Sequence, residues 1–151
     1  MFTSKEILDI ALKIEQNGEA VYRRATHKLA NQVIVKRLIW MADEEARHAK
    51  WFMELQSDLG TQNNPITLDE MNSGILRDLI GEQSFTLQDI DFPGVDDMPT
   101  LINIFIEFEK DGILFYELLR TFIKDQKVLE SLDQIIAEEY QHIEFLKELK
   151  S

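Results

Sequence analysis

A chain of 151 residues is the size of one domain built around a single continuous core. Hydrophobic residues at 44% and charged residues at 29%, with only 6 glycines and 3 prolines, suit a helical soluble protein, and the lack of cysteine excludes disulfides, thiolate metal sites and iron–sulfur clusters and fits a reducing cytoplasm. A net charge of −12 without a long basic cluster disfavours nucleic acid and anionic lipid, no run of about 18 apolar residues offers a membrane span, and the start MFTSKEILDI lacks a signal-peptide pattern.

The first helix is predicted to begin at Thr3-Ser4-Lys5-Glu6, where a hydroxyl cap precedes the apolar positions Ile7, Leu8, Ala11, Leu12 and Ile14, and to run to about Leu29. After a polar break near Asn31 a second helix carries Val35, Leu38, Ile39, Ala42, Ala46, Ala49, Phe52 and Leu55 on one stripe and is expected to stop at Gly60. So short a connection makes the two helices antiparallel neighbours. Turn-forming residues (Asn63-Asn64-Pro65, Gly74, Gly81, Phe92-Pro93-Gly94) then surround one amphipathic piece, around Leu68 to Ile80. A third helix is expected after Pro99-Thr100, through Leu101, Ile104, Phe105 and Phe108, and a fourth after Lys124-Asp125-Gln126, through Leu129, Leu132, Ile136, Ile143 and Leu146. The expected architecture is an all-α four-helix bundle in one domain over 1–151. Hairpin one covers about 4–59, a long crossover about 60–99, and hairpin two about 100–151. Helices of about 27 residues span about 40 Å, a distance that a connector of this length covers.

Sliding the second hairpin back by 94 residues aligns it with the first without a gap. Ile10 meets Ile104, Glu15 meets Glu109, Gly18 meets Gly112, Tyr22 meets Tyr116, Leu38 meets Leu132, Glu45 meets Glu139, His48 meets His142 and Leu55 meets Leu149. Helical packing alone requires no glutamate, histidine, tyrosine or interior glycine at matched places, so the repeat points to function.

The repeated unit is Glu-x-x-His, as Glu45-Ala46-Arg47-His48 and Glu139-Tyr140-Gln141-His142, each preceded at a distance of 30 residues by Glu15 or Glu109. A glutamate and a histidine three positions apart on a helix lie about 60° apart around its axis and one turn apart along it, so both can reach one ion. Glu15, Glu45, His48, Glu109, Glu139 and His142 are therefore six candidate metal ligands. Four carboxylates carry a charge near −4, which two divalent cations neutralise, and an oxygen-rich set with one imidazole per metal suits iron or manganese. Zinc would bind without turning over. Tyr22 and Tyr116 follow their glutamates by about two turns and are placed to hydrogen-bond a carboxylate ligand. Gly18 and Gly112 either open space beside the metals or allow close helix packing. Glu44 and Glu138 also match, but they point about 100° away from the ligand candidates and are expected to face solvent or an interface. His27, opposite Thr121 in the repeat, is expected at the surface, and Trp40 and Trp51 in the core or an interface.

These motifs, Ile14-Glu15 through Tyr22, Glu45 through His48, Phe108-Glu109 through Tyr116 and Glu139 through His142, resemble the rubrerythrin-type diiron carboxylate proteins of the ferritin-like superfamily. The resemblance covers about Ser4 to Leu59 and Thr100 to Ser151. It implies that Glu15 and Glu109 are ligands from the first and third helices, that Glu45 and Glu139 bridge or chelate, and that His48 and His142 cap one metal each. Two departures stand out. Rubrerythrins carry a rubredoxin-like domain with cysteines, so here an external donor such as a rubredoxin-like protein is expected to supply electrons. They also have an extra glutamate where this chain has Gly112, and Glu19 is the nearest other carboxylate. The implied function is a diiron oxidoreductase that reduces hydrogen peroxide or dioxygen, expected as a cytoplasmic homodimer with no nucleic-acid or membrane partner. The alternative is a ferroxidase or iron-storage protein of the same superfamily. A hydroxylase acting on an organic or nucleic-acid substrate would need a pocket or basic patch that the sequence does not offer.

Overall fold

The computed structural model describes residues 4–61, 98–121 and 123–150. They form four helices: α1 Ser4–Thr26, α2 Gln32–Thr61, α3 Met98–Arg120 and α4 Gln126–Lys150. The expected crossover and its amphipathic piece, Leu68 to Ile80, lie outside the described residues. No described helix is long and apolar enough to cross a membrane.

Each helix starts and stops for local reasons. Asn31 caps α2 by accepting from the backbone N–H of Val33 at 2.9 Å, and Asp125 caps α4 by accepting from Lys127 at 2.9 Å and Val128 at 3.2 Å. The two caps are themselves repeat mates, 94 residues apart. α1 ends at Thr26 rather than near Leu29 because its last turn tightens: His27 N–H donates to Arg24 and Lys28 N–H to Ala25, both to the third residue back. α3 begins at Met98, earlier than expected, with Pro99 in its first turn, where the missing N–H costs no helical bond.

α1 pairs with α2 and α3 with α4, and the hairpins meet through α1 against α3 and α2 against α4. Every one of these pairs is antiparallel. Gln56 reaches Lys5 and Asp9, Lys150 reaches Asn103, Tyr22 reaches Glu109 and Arg47 reaches Glu138. α2 therefore ends at the opposite end of the bundle from the start of α3, the geometry for which the crossover was expected.

The core runs through Ile7, Leu8, Ala11, Ile14, Leu38, Phe52, Leu101, Phe105, Phe108, Leu132, Ile143 and Leu146, all at most 6% exposed. Burying each large side chain stabilises the fold by about 1.5–3 kcal/mol, so the helices are held mainly by their shared apolar stripes. Ile39 departs from its expected stripe and is 40% exposed.

Candidate metal centre

Midway along the bundle the apolar core gives way to buried charge. Glu15 comes from α1, Glu45 and His48 from α2, Glu109 from α3, and Glu139 and His142 from α4, and none is more than 3% exposed. All six expected ligand candidates are thus brought together. Their donor atoms fall into two sets, Glu15, Glu45, His48 and Glu139, and Glu45, Glu109, Glu139 and His142, each with its atoms within 4.8 Å of one another. Glu45 and Glu139 belong to both sets, so their carboxylates lie between two positions where an ion could sit.

The donors do not satisfy each other. Glu15 Oε2, both oxygens of Glu45, Glu109 Oε2, Glu139 Oε1, His48 Nδ1 and His142 Nε2 are buried without a hydrogen-bond partner. His48 Nδ1 lies 2.8 Å from Glu139 Oε1 and His142 Nδ1 lies 3.0 Å from Glu45 Oε1, close approaches in which no N–H is aimed at the oxygen. Unpaired buried polar atoms each cost about 1–3 kcal/mol, and those of Glu15, Glu45, His48, Glu109 and Glu139 converge on one place, the arrangement that cations relieve. The residues fit a pair of divalent metals.

Protonation shows the strain of the metal-free cluster. Burial pushes the Glu45 and Glu139 carboxyls well above the usual range, and the neighbouring glutamates push them further. Burial pushes Glu109 up as well, but hydrogen bonding with Glu139 and the imidazole of His142 outweigh it and hold Glu109 low. His48 is lowered by burial yet carried up to about 11 by Glu15 and Glu139. A bound metal would displace these protons.

Around the donors stands a ring of groups that fix their orientation. Tyr22 donates to Glu109 at 2.5 Å and Tyr116 donates to Glu15 at 2.6 Å, so each phenol reaches across to the other hairpin's carboxylate. Burial raises both phenols well above the usual tyrosine range, which keeps them neutral donors. Glu138 and Glu44, expected to face solvent or an interface, lie at the interface of α2 and α4, their side chains 14% and 13% exposed. Glu138 Oε1 lies 3.0 Å from His48 Nε2, and Glu44 Oε1 lies 3.9 Å from His142 Nε2. For His48 the Glu138 carboxylate is close enough to hold the proton on Nε2, which would leave Nδ1 free for an ion; at His142 the Glu44 contact is too long for a hydrogen bond. Arg47 ties the two together, donating to Glu44 and, at 2.7 Å, to Glu138.

Glu19 is drawn away from the cluster by Arg23, at 2.8 Å, which also holds Asp43. His27 is exposed. The two glycines turn out to differ. A Cβ on Gly18 would sit 2.9 Å from Glu45 Oε2 and 3.1 Å from the Phe108 ring, so glycine there permits close packing against a ligand candidate. At Gly112 a Cβ would meet only Ile14 Cγ2 at 3.6 Å, and no carboxylate occupies the position of the extra rubrerythrin glutamate.

No curated protein matches the chain. A solved structure from Thermotoga maritima, described as a ferritin-like diiron-carboxylate protein, is similar over 99% of this chain and 95% of its own, with a TM-score of 0.71 and 23% identity. At that identity the likeness speaks for the fold. The family model described as Rubrerythrin matches residues 6–150, nearly the whole sequence, and the chain belongs to the rubrerythrin family, with a ferritin-like four-helix bundle as its fold.

Proposed function

We propose that the cluster holds two iron ions and that the protein is a non-haem diiron oxidoreductase reducing hydrogen peroxide. One observation carries the reading: two repeat-related donor sets share Glu45 and Glu139. In it, Glu15 and His48 would hold one ion and Glu109 and His142 the other, with Glu45 and Glu139, which belong to both donor sets, serving both. Four carboxylates balance two ferrous ions, and manganese suits the same donors. The pair would supply the two electrons that, with two protons, convert hydrogen peroxide to two waters.

The residues of the chain set the conditions. Tyr22 and Tyr116 hold Glu109 and Glu15 in place, Glu138 fixes the His48 imidazole, and the surrounding apolar side chains keep bulk water out. An external donor, of the rubredoxin type, restores the ferrous state. Val33, Ile39 and Trp40, left 65%, 40% and 39% exposed along α2, support a homodimer.

Anaerobic loading with Fe(II) followed by titration with peroxide and with dioxygen tests this. About two irons per chain and oxidation faster with peroxide are expected. Many irons per chain would replace the reading with iron storage, and faster oxidation by dioxygen would replace it with a ferroxidase.

A further inference from the structure

The two ends of the α2/α4 face differ in a way the repeat does not prepare for. Beside His142 the surface is filled. The Trp40 ring packs edge-on at 5.4 Å from the His142 ring and 5.0 Å from Phe145, and the Arg37 guanidinium covers Phe145 at 4.4 Å. At the repeat-related places beside His48 stand Gln134 instead of Trp40 and Ser131 instead of Arg37. There α2 and α4 part in a cleft of about 740 Å³, lined by His48, Glu138, Arg47, Trp51, Ser131 and Gln134 among others. A second cleft continues from it along the same face, past Leu55 and Val128. A third, lined by Asn103, Ile106, Lys110 and Lys147, lies between α3 and α4 and touches no ligand candidate.

We propose that this cleft is a one-sided passage by which small uncharged ligands of peroxide or dioxygen size reach the centre, at the His48 end, while Trp40 closes the matching route at the His142 end. The inference rests on the diiron reading above. Its chemistry is suited to such a ligand: Arg47, Lys50 and Lys127 face Glu54, Glu130 and Glu138, a local charge balance within a chain of net charge −12. Arg47 is more than half exposed and holds Glu138, the carboxylate against His48 Nε2, so the His48 end of the cleft is lined by a surface side chain rather than by the core. The ion next to His48 is then the one that meets incoming ligand first, and the two metal positions are unequal in use although nearly equal in ligands.

The test is to copy the closed end onto the open one. Ser131→Arg with Gln134→Trp in the full chain, loaded anaerobically with Fe(II), is mixed with nitric oxide and binding is followed by stopped-flow absorbance. Iron per chain is expected to be unchanged and nitric oxide binding to slow by at least about tenfold. Lys110→Trp, which adds the same bulk to the third cleft, is expected to bind at the original rate. If the double variant does not fold, Gln134→Trp alone, at an exposed position, carries the comparison. A plugged protein with two irons and an unaltered rate, or equal slowing by Lys110→Trp, overturns the passage alone. Fewer than two irons in the unaltered chain overturns the diiron reading instead.

Discussion

At Gly18 a single methyl group would press on Glu45 and on the Phe108 ring together. Gly18→Ala is therefore expected to cost about 1–3 kcal/mol of stability through overpacking and to weaken metal binding about 10–100-fold through the displaced carboxylate. Gly112→Ala has room and should gain about 0.5–1 kcal/mol, because alanine restricts the unfolded chain and favours helix. Urea unfolding with parallel Fe(II) titration of both variants checks the contrast. The repeat makes the two glycines look equivalent, since periodicity reports which face a residue occupies and not what stands opposite. Glu44 and Glu138 escape the sequence pattern for the same reason. An offset of about 100° turns a side chain off its own helix's ligand direction, but in a four-helix bundle it turns it toward the neighbouring helix, where the other hairpin's histidine waits. Their match in the repeat was a usable signal. Arg47 had none, because its mate is Gln141. Glu15, Glu45, His48, Glu109, Glu139 and His142 were legible because carboxylates and imidazoles repeated at core-facing places are costly to bury unless an ion balances them.

Helix identity was readable from the apolar stripes, and the errors fell at the ends. Pro99 looked like a boundary yet sits inside the first turn of α3, and the tightened turn at Arg24 and Ala25 shortened α1. Both depend on backbone hydrogen bonds that a hydrophobic pattern does not encode. The N-termini of α2 and α4 are firmer, each resting on one side chain that accepts from two backbone N–H groups. Replacing that acceptor, by Asn31→Ala or Asp125→Ala, is expected to cost about 1 kcal/mol. In a protein of this size that corresponds to a melting temperature lower by about 2–4 °C. Circular dichroism melts of the single and double variants should show nearly additive losses, since the caps belong to different hairpins.

For the molecule as a whole, the centre couples folding to pH. Glu45 and Glu139 hold protons above the pH at which the unfolded chain releases them, and His48 does so between its ordinary 6.5 and about 11. Groups raised in this way stabilise the fold at low pH and lose that contribution as pH rises through their folded values. Glu109 and Glu138 are held low and act in the opposite direction, but only below the ordinary carboxylate value of 4.5. The metal-free protein should thus melt at a lower temperature near pH 9 than near pH 6. Iron loading should abolish or reverse that trend, since metal takes the place of the protons; calorimetry with and without a chelator at both pH values measures it.

The phenols and the arginine around the centre have a consequence for the lifetime of the protein. Backbones run close together within each hairpin and approach at far fewer places between hairpins. At those crossings Tyr22 reaches Glu109, Tyr116 reaches Glu15 and Arg47 reaches Glu138. Two of these three stitches are made by Glu109 and Glu15, which are themselves ligand candidates, and neither half owns a complete set. Without ions the carboxylates at the seam would lack the cations that balance them, and the seam is where opening is expected to begin. On the proposed diiron reading, the Fe(II)-loaded chain is expected to resist a nonspecific protease longer than the same chain kept with a chelator, so that metal supply would set the lifetime of each copy.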